Sequence, residues 1–476
     1  SSWNNIIASS FKFRYNRLSD FRRYSVEKVF FKNKSFISSM LAVAFPVALQ
    51  FLISTSINMA DTVMISSLGA AEIAAVGLVN QYVFFFIVAT FGICSAGSVF
   101  FSQYYGYKDL PSVKRYLSIS LQLSVILSII FTVVSLLFPE TIMRLLIPDD
   151  EVIALGIDYL KIISLTFIIS AISQCFNTVL RSCDRAKEPL KVSIISFFVN
   201  VFFNYLFIFG SFGFPRLGVV GAAIGTLIAR LVEVVLLTIM VFKEKEGRAN
   251  LRPTELLKVH GDLLRPYLKV GIPIILSESL WSFGQLLFAV AYGRIGQEAT
   301  AAIQLTNTIQ NVFFILVNAT CTAAAVIVGQ SLGANLKEQA KTWATYFLQM
   351  IMSLGLVSLL ILVFLPDVLM MIFGTLEEGV YQTARNLLII RGFFIPFRFL
   401  NGMLFIGIFR AGGETKLPFI LELITMWGFA IPMSFIGVLL FNWPIEWVFT
   451  IVSVEELLKF LLIYPLYRKK RWLRTM

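Results

Sequence analysis

The chain has 476 residues, 57% of them hydrophobic and only 14% charged, with a net charge of +12. A soluble domain coats its surface with roughly 25% charged residues, so this composition, with a mean hydropathy of +0.80, excludes an ordinary water-soluble globule. Apolar runs of about 20 residues, the span of a bilayer core, recur without period-two alternation, which argues against a β-barrel.

Taken in chain order, these runs predict an all-α membrane protein of twelve transmembrane helices. They lie near 36–61, 79–105, 117–138, 155–180, 190–210 and 217–242, then 266–292, 307–332, 343–365, 383–410, 416–440 and 446–466. Residues 1–35 lack the apolar core of a signal peptide. Their arginine and serine content mildly fits a transit peptide, but Asp20 and Glu27 count against that, and the segment reads as a basic cytoplasmic arm. Basic residues fill the arm and the even loops: Lys108, Lys114 and Arg115 in the second, Arg181, Arg185 and Lys187 in the fourth, Lys337 and Lys341 in the eighth, Arg410 and Lys416 in the tenth. The sixth loop carries Lys243, Lys245, Arg248 and Arg252, and the tail ends on Arg468, Lys469, Lys470, Arg471 and Arg474. Odd loops hold mostly acids such as Glu140, Asp149, Asp150, Glu377 and Glu378. The positive-inside rule therefore places both termini in the cytoplasm, as expected of a multi-pass protein of the cell membrane. Nucleic acid is not an expected partner, because the basic residues are spread over short loops instead of forming one face. Cys94, Cys175, Cys183 and Cys321 form no CxxC pair and read as small core residues, and the single histidine, His260, lies in a charged loop.

The sequence repeats itself. Pro46, Gly69, Asn80, Gln103, Gly106, Lys114, Gln122 and Pro139 recur 227 residues later as Pro273, Gly296, Asn307, Gln330, Gly333, Lys341, Gln349 and Pro366; Lys187 and Pro189 then match Lys416 and Pro418 at offset 229. Each repeat holds six spans, so both enter the membrane from the same side and form a parallel repeat about an axis along the membrane normal. The expected organisation is a basic arm (1–35), an N-lobe six-helix bundle (36–242), a cytoplasmic linker (243–265), a C-lobe bundle (266–466) and a basic tail (467–476), with a central cleft between the lobes. No GxxxxGK[ST] motif is present, so active transport would draw on an ion gradient instead of nucleotide hydrolysis.

FPVALQFLISTSINMADTVMISSLG in the first span, FFVNVFFNYLFIFG and GVVGAAIGTLIAR in the fifth and sixth, GIPIILSESLWSFGQLLFAVAYGRIG in the seventh, then VGQSLGANLKEQAK and EELLKFLLIYPLYRKKRW, carry a resemblance. In order, spacing and duplication they resemble the multidrug and toxic compound extrusion (MATE) family over roughly residues 36–470. The resemblance implies export of mostly cationic, amphiphilic compounds against sodium or proton influx, by a chain that needs no cofactor. Relatives in the same superfamily flip lipid-linked precursors, which is the alternative reading. The expected partners are small amphiphilic molecules and the bilayer, and the expected state is a monomer.

An acid inside a span costs at least about 2.5 kcal/mol at the bilayer centre and so marks a functional hypothesis. Asp61 is the first such acid; the resemblance implies that it is the cation-coupling residue of the N-lobe, with a sodium ion as the only metal expected there. Its repeat counterpart is Phe288. Asn200 and Asn204 stand one helical turn apart and, with Thr226, offer oxygens to a hard cation; the plainer reading is hydrogen bonding between helices. The resemblance implies an aspartate at the second position in some family members; here it is Asn204, which leaves Asp61 as the only carboxylate of that set. Glu278, whose counterpart is Phe51, suits a proton or substrate site in the C-lobe together with Gln285. Its plainer reading is a packing hydrogen bond to Gln285 or Trp281. Arg230 with Glu233, and Glu455, Glu456 and Lys459, read as structural pairs. Glu422 is an open candidate. Arg391 and Arg398 would repel a cation and favour an anionic precursor. An enzyme is not expected, since the only compact acidic run, Asp149, Asp150 and Glu151, reads as a solvated helix start.

Overall fold

The computed structural model describes residue 30 and residues 33–242, 256, 258, 260–374 and 376–476. Most of the basic arm and of the linker, with Lys243, Lys245, Arg248 and Arg252, lies outside the described residues. The first half contains α1 (Lys34–Ser66), α2 (Ala70–Gly106), α3 (Leu110–Leu137), a short α4 (Pro139–Leu146), α5 (Asp150–Ser164), α6 (Thr166–Ser182), α7 (Lys187–Phe209) and α8 (Val219–Phe242). The second contains α9 (Gly261–Ile295), α10 (Gln297–Gly333), α11 (Lys337–Phe364), a short α12 (Pro366–Met370), α13 (Glu378–Gly402), α14 (Lys416–Glu422), α15 (Ile431–Leu439) and α16 (Ile445–Arg468). Wider π-helical segments, Met403–Phe409 and Leu423–Ala430, prolong α13 and join α14 to α15. Among the described residues there is no strand.

Among the described residues, ten helical spans are long and apolar enough to cross a membrane, and the α5–α6 pair makes an eleventh. The twelfth is α16, 24 residues long, whose Glu455, Glu456 and Lys459 lower its apolarity. The fourth span departs from the expected single helix over 155–180: it bends by 44° between α5 and α6. The Thr132 hydroxyl donates to the Ser164 carbonyl at 3.0 Å and that of Thr166 to Ile163 at 2.6 Å, at the break. Side-chain hydroxyls that take helix carbonyls bend the ladder. The seventh span also starts early, so α9 takes in residues 261–265 of the expected linker.

The duplication is preserved in detail. α2 and α10 have 37 residues each, and α3 and α11 have 28 each. The turn after α2 places Lys108 in the left-handed region at φ 66°, and the matching turn after α10 does the same to Asn335 at φ 59°. The lobes meet along a two-fold seam: α1 packs on α10, α9 packs on α2, and α2 meets α10 at the centre.

That seam is closed at one end only. Toward the basic loops, α2 is buried all round from Gly92 to Gly97 and from Val99 to Gln103, and α10 is buried in the same way from Val326 to Gly329. Toward the opposite face only Ala75, Val76 and Val79 of α2, and Ala299, Ala302, Ile303 and Thr306 of α10, are buried. This is the single covered stripe of a helix with one face open. At the closed end a Cβ on Gly106 would stand 2.1 Å from the Gln330 carbonyl oxygen, and one on Gly333 would stand 1.8 Å from that of Gln103. Glycine at both positions lets the two backbones touch.

Candidate functional site

Three helices of the N-lobe converge on Asp61. The carboxylate projects from α1, and its Oδ1 accepts from Asn204 Nδ2 of α7 at 2.5 Å. The same amide reaches Asn200 Oδ1, one turn back, at 3.4 Å, and Asn200 Nδ2 reaches Thr226 Oγ1 of α8 at 3.4 Å. All four residues expected at an N-lobe cation site are thus joined in one hydrogen-bonded chain. Gly225 makes the approach possible, since a Cβ there would lie 2.1 Å from Asn204 Oδ1. Asn200 and Asn204 are buried, and Asn204 Oδ1 finds no donor among the described residues. A buried carbonyl oxygen without a donor is costly and is a ready ligand for a cation. With Asp61, the Asn200 carbonyl and the Thr226 hydroxyl it makes an all-oxygen set suited to a hard cation. Arg230 lies close enough for its charge to act on Asp61, but its guanidinium is held 2.7 Å from Glu233, so the carboxylate of Asp61 is not consumed in an ion pair.

The C-lobe departs from expectation. Glu278 bonds neither Gln285 nor Trp281. Its Oε1 is 2.8 Å from Arg410 Nη2, and Arg410 Nη1 donates to Ser95 of the N-lobe at 2.6 Å. Gln285 lies two turns further along α9, exposed, and makes no hydrogen bond to Glu278. The ion pair explains the difference: a carboxylate out of water prefers a guanidinium to a neutral amide. Arg410 and Arg181, read from sequence as loop charges, are therefore packed side chains. Arg410 is 7% exposed, and Arg181 donates to Gln50 and lies 6.0 Å from the Phe51 ring. The repeat held the missed signal, because Arg181 and Arg410 are partners at offset 229, and Phe51 and Glu278 at offset 227.

Glu422, the open candidate, is buried and accepts from the Ser277 hydroxyl, one residue from Glu278. Beyond it Lys459 pairs with Glu455 at 2.7 Å, Thr425 donates to Glu455 at 2.7 Å, and Asn401 holds Glu456 at 2.8 Å. A polar thread thus runs from Glu278 through Glu422 to α16, and both π-helical segments abut it, one ending at Arg410 and the other starting after Glu422. Such wide turns occur often at functional sites. Asp149 caps α5 through Glu151 and Val152, the solvated helix start that the sequence suggests. Among the described residues no group of three or more His, Cys, Asp or Glu could hold a metal.

The duplication reappears in comparison with known proteins. The model of the MatE family matches twice, over residues 46–206 and 273–436. The chain belongs to the MatE family. Both matches open on the repeated proline, Pro46 and Pro273. This MatE protein is a transporter, not an enzyme, and crosses the membrane many times. It is 24% identical over 445 residues to the uncharacterized transporter YisQ of Bacillus subtilis, covering 92% of this chain and 95% of that one. It is 26% identical over 413 residues to the probable multidrug resistance protein NorM of Thermotoga maritima, covering 85% and 86%. Among solved structures it is similar to one described as the outward-facing conformation of a multidrug resistance MATE family transporter, with a TM-score of 0.80 at 20% identity, covering 91% of this chain and 96% of that one.

Proposed function

We propose that this MatE protein is a secondary active exporter of amphiphilic compounds, organic cations among them, which it antiports against sodium or proton influx by alternating access. The observation that carries the reading is the Asp61–Asn204–Asn200–Thr226 chain, an all-oxygen site with one carboxylate on the helix that lines the seam. The names of relatives such as NorM support the substrate class. We place the protein in the cell membrane as a monomer with both termini in the cytoplasm, following the basic loops. The closed end of the seam is then cytoplasmic, and the described state opens outward. A cation reaching Asp61 would replace the Asn204 hydrogen bond with direct coordination, which ties ion occupancy to the packing of α1 on α7. Glu278 serves as the second coupling group: its pairing with Arg410, which also bonds Ser95, ties it to the contact between the lobes.

The test is flux in proteoliposomes with sodium and proton gradients imposed separately, using a fluorescent organic cation. Asp61→Asn and Glu278→Gln should each reduce gradient-driven efflux at least tenfold while the protein still inserts. Undiminished efflux in both variants would sink the reading.

A further inference from the structure

The C-lobe holds a second polar site that the cation-coupled mechanism leaves unused. Arg391 and Arg398 lie seven residues apart on α13, about two helical turns, and therefore share a face. Arg391 is 8% exposed. Its Nη1 and Nη2 each donate to Asn307 Oδ1 of α10 at 3.0 Å, Nη1 also reaches the Thr306 carbonyl at 3.3 Å, and the guanidinium stands 4.9 Å from the centre of the Phe449 ring. Among the described residues no carboxylate pairs with it. Arg398 is only loosely matched: its Nε is 3.8 Å from Glu456 Oε1, beyond hydrogen-bond reach, while its guanidinium lies 5.0 Å from the Phe314 ring. Glu456 itself is held by Asn401 at 2.8 Å and faces Lys459. Tyr292 is near enough to feel both arginines.

Between the two arginine contacts on α10, at Asn307 and Phe314, stands Gln310. It is buried, and its Oε1 finds no donor among the described residues. The site therefore has two guanidiniums against one carboxylate that Arg398 meets only loosely; the free Gln310 oxygen is an acceptor and does not itself bind an anion. A buried charge without a counter-charge costs several kcal/mol, and a guanidinium's five N–H donors match the two oxygens of a carboxylate or phosphate. The N-lobe site has the opposite chemistry, a carboxylate with carbonyl oxygens. Neither arginine has an arginine partner in the repeat, whose matching positions are Ile162 and Ile169.

We propose that Arg391 and Arg398 form a subsite for the anionic head, carboxylate or phosphate, of an amphiphilic substrate, and that Asn307, Phe314 and Phe449 hold the two guanidiniums in place. The proposal rests on the transport reading and adds that the transported class includes anionic or zwitterionic amphiphiles. The head could belong to a soluble aromatic acid or to a membrane lipid; the recognition chemistry is the same.

The test uses the full chain in nanodiscs of neutral phosphatidylcholine, titrated calorimetrically with phenyl phosphate and with phenyltrimethylammonium as the oppositely charged homologue. Phenyl phosphate should bind, and Arg398→Gln and Arg391→Gln should each weaken it at least tenfold without changing phenyltrimethylammonium binding. Arg391→Lys, which keeps the charge, should bind more tightly than Arg391→Gln, provided both variants keep the wild-type melting temperature. Phosphatidic acid added to the nanodiscs should compete if the head is a lipid's, and should leave the titration unchanged if it is a soluble anion's; the subsite stands in either case. Absence of phenyl phosphate binding to the wild type, or equal affinity in well-folded Arg398→Gln, would overturn the proposal. Binding that survives Asp61→Asn but fails in the arginine variants separates this site from the cation-coupling reading, so either can fall alone.

Discussion

The closed end of the seam is latched by two hydrogen bonds that the repeat exchanges. Gln103 Nε2 of the N-lobe donates to the Ala411 carbonyl at 2.7 Å, and Gln330 Nε2 of the C-lobe donates to the Ser182 carbonyl at 2.9 Å. The pairs match, because Gln103 and Gln330 are related by 227 residues and Ser182 and Ala411 by 229. The tail reinforces one of them: the Met476 amide donates to Gln103 Oε1 at 2.8 Å, Arg474 pairs with Glu414 at 2.7 Å, and Trp472 is buried. Each neutral hydrogen bond contributes about 1 kcal/mol net. The double variant Gln103→Leu with Gln330→Leu removes these two bonds and the Met476 bond, so it should destabilise the closed state by about 3 kcal/mol, a shift of roughly 140-fold in its population at 1.4 kcal/mol per tenfold. Nitroxides on the exposed, repeat-related Lys187 and Lys416 would read the separation of the lobes at this end by pulsed dipolar spectroscopy. The wild type should give one short distance, the double variant an added longer population, and each single variant an intermediate one. An unchanged distance distribution in the double variant would refute the latch and shift the closing energy to the apolar seam alone.

Gly225→Ala should weaken ion dependence of transport without touching Asp61, because its methyl would collide with Asn204 Oδ1; overpacking of this kind costs about 1–3 kcal/mol, and a sodium or proton titration of efflux that matches the wild type would contradict it. Arg410→Met should lower thermal stability by the roughly 3–5 kcal/mol typical of a broken buried pair, with most of the loss recovered in the Glu278→Gln double variant, as a double-mutant melting cycle would show. On the opposite face, Tyr381 and Arg385 bond Asp367 and hold its carboxyl below the ordinary value. A lowered folded value means that this contribution is present above the unfolded carboxyl range and is lost as pH falls through the folded one. Asp367→Asn should thus reduce the acid dependence of the melting temperature, and equal slopes in the two proteins would contradict the assignment.

The scaffold was legible in the sequence because bilayer physics writes it locally. Run length, apolarity and the sorting of basic loops state where each span lies, and a repeat with matched glycines and prolines states that two bundles share one direction of entry. The grouping of Asp61 with Asn200, Asn204 and Thr226 was also readable, since the two amides stand one turn apart and the resemblance carries the aspartate. The bend at Leu165 was not, because a threonine hydroxyl from another helix helps to make it. Arg410 was misread for a related reason. A basic residue beside a loop looks solvated until tertiary packing brings Glu278 from another helix and Ser95 from the other lobe to meet it. The choice of Arg410 over Gln285 as the partner of Glu278, and the closing of the seam at the basic face alone, are relations between helices far apart in the chain. The duplicated body is thus a property of the sequence, while the pairing of its buried charges belongs to the tertiary structure, because what a charge out of water will bond depends on which counter-charge the fold carries to it.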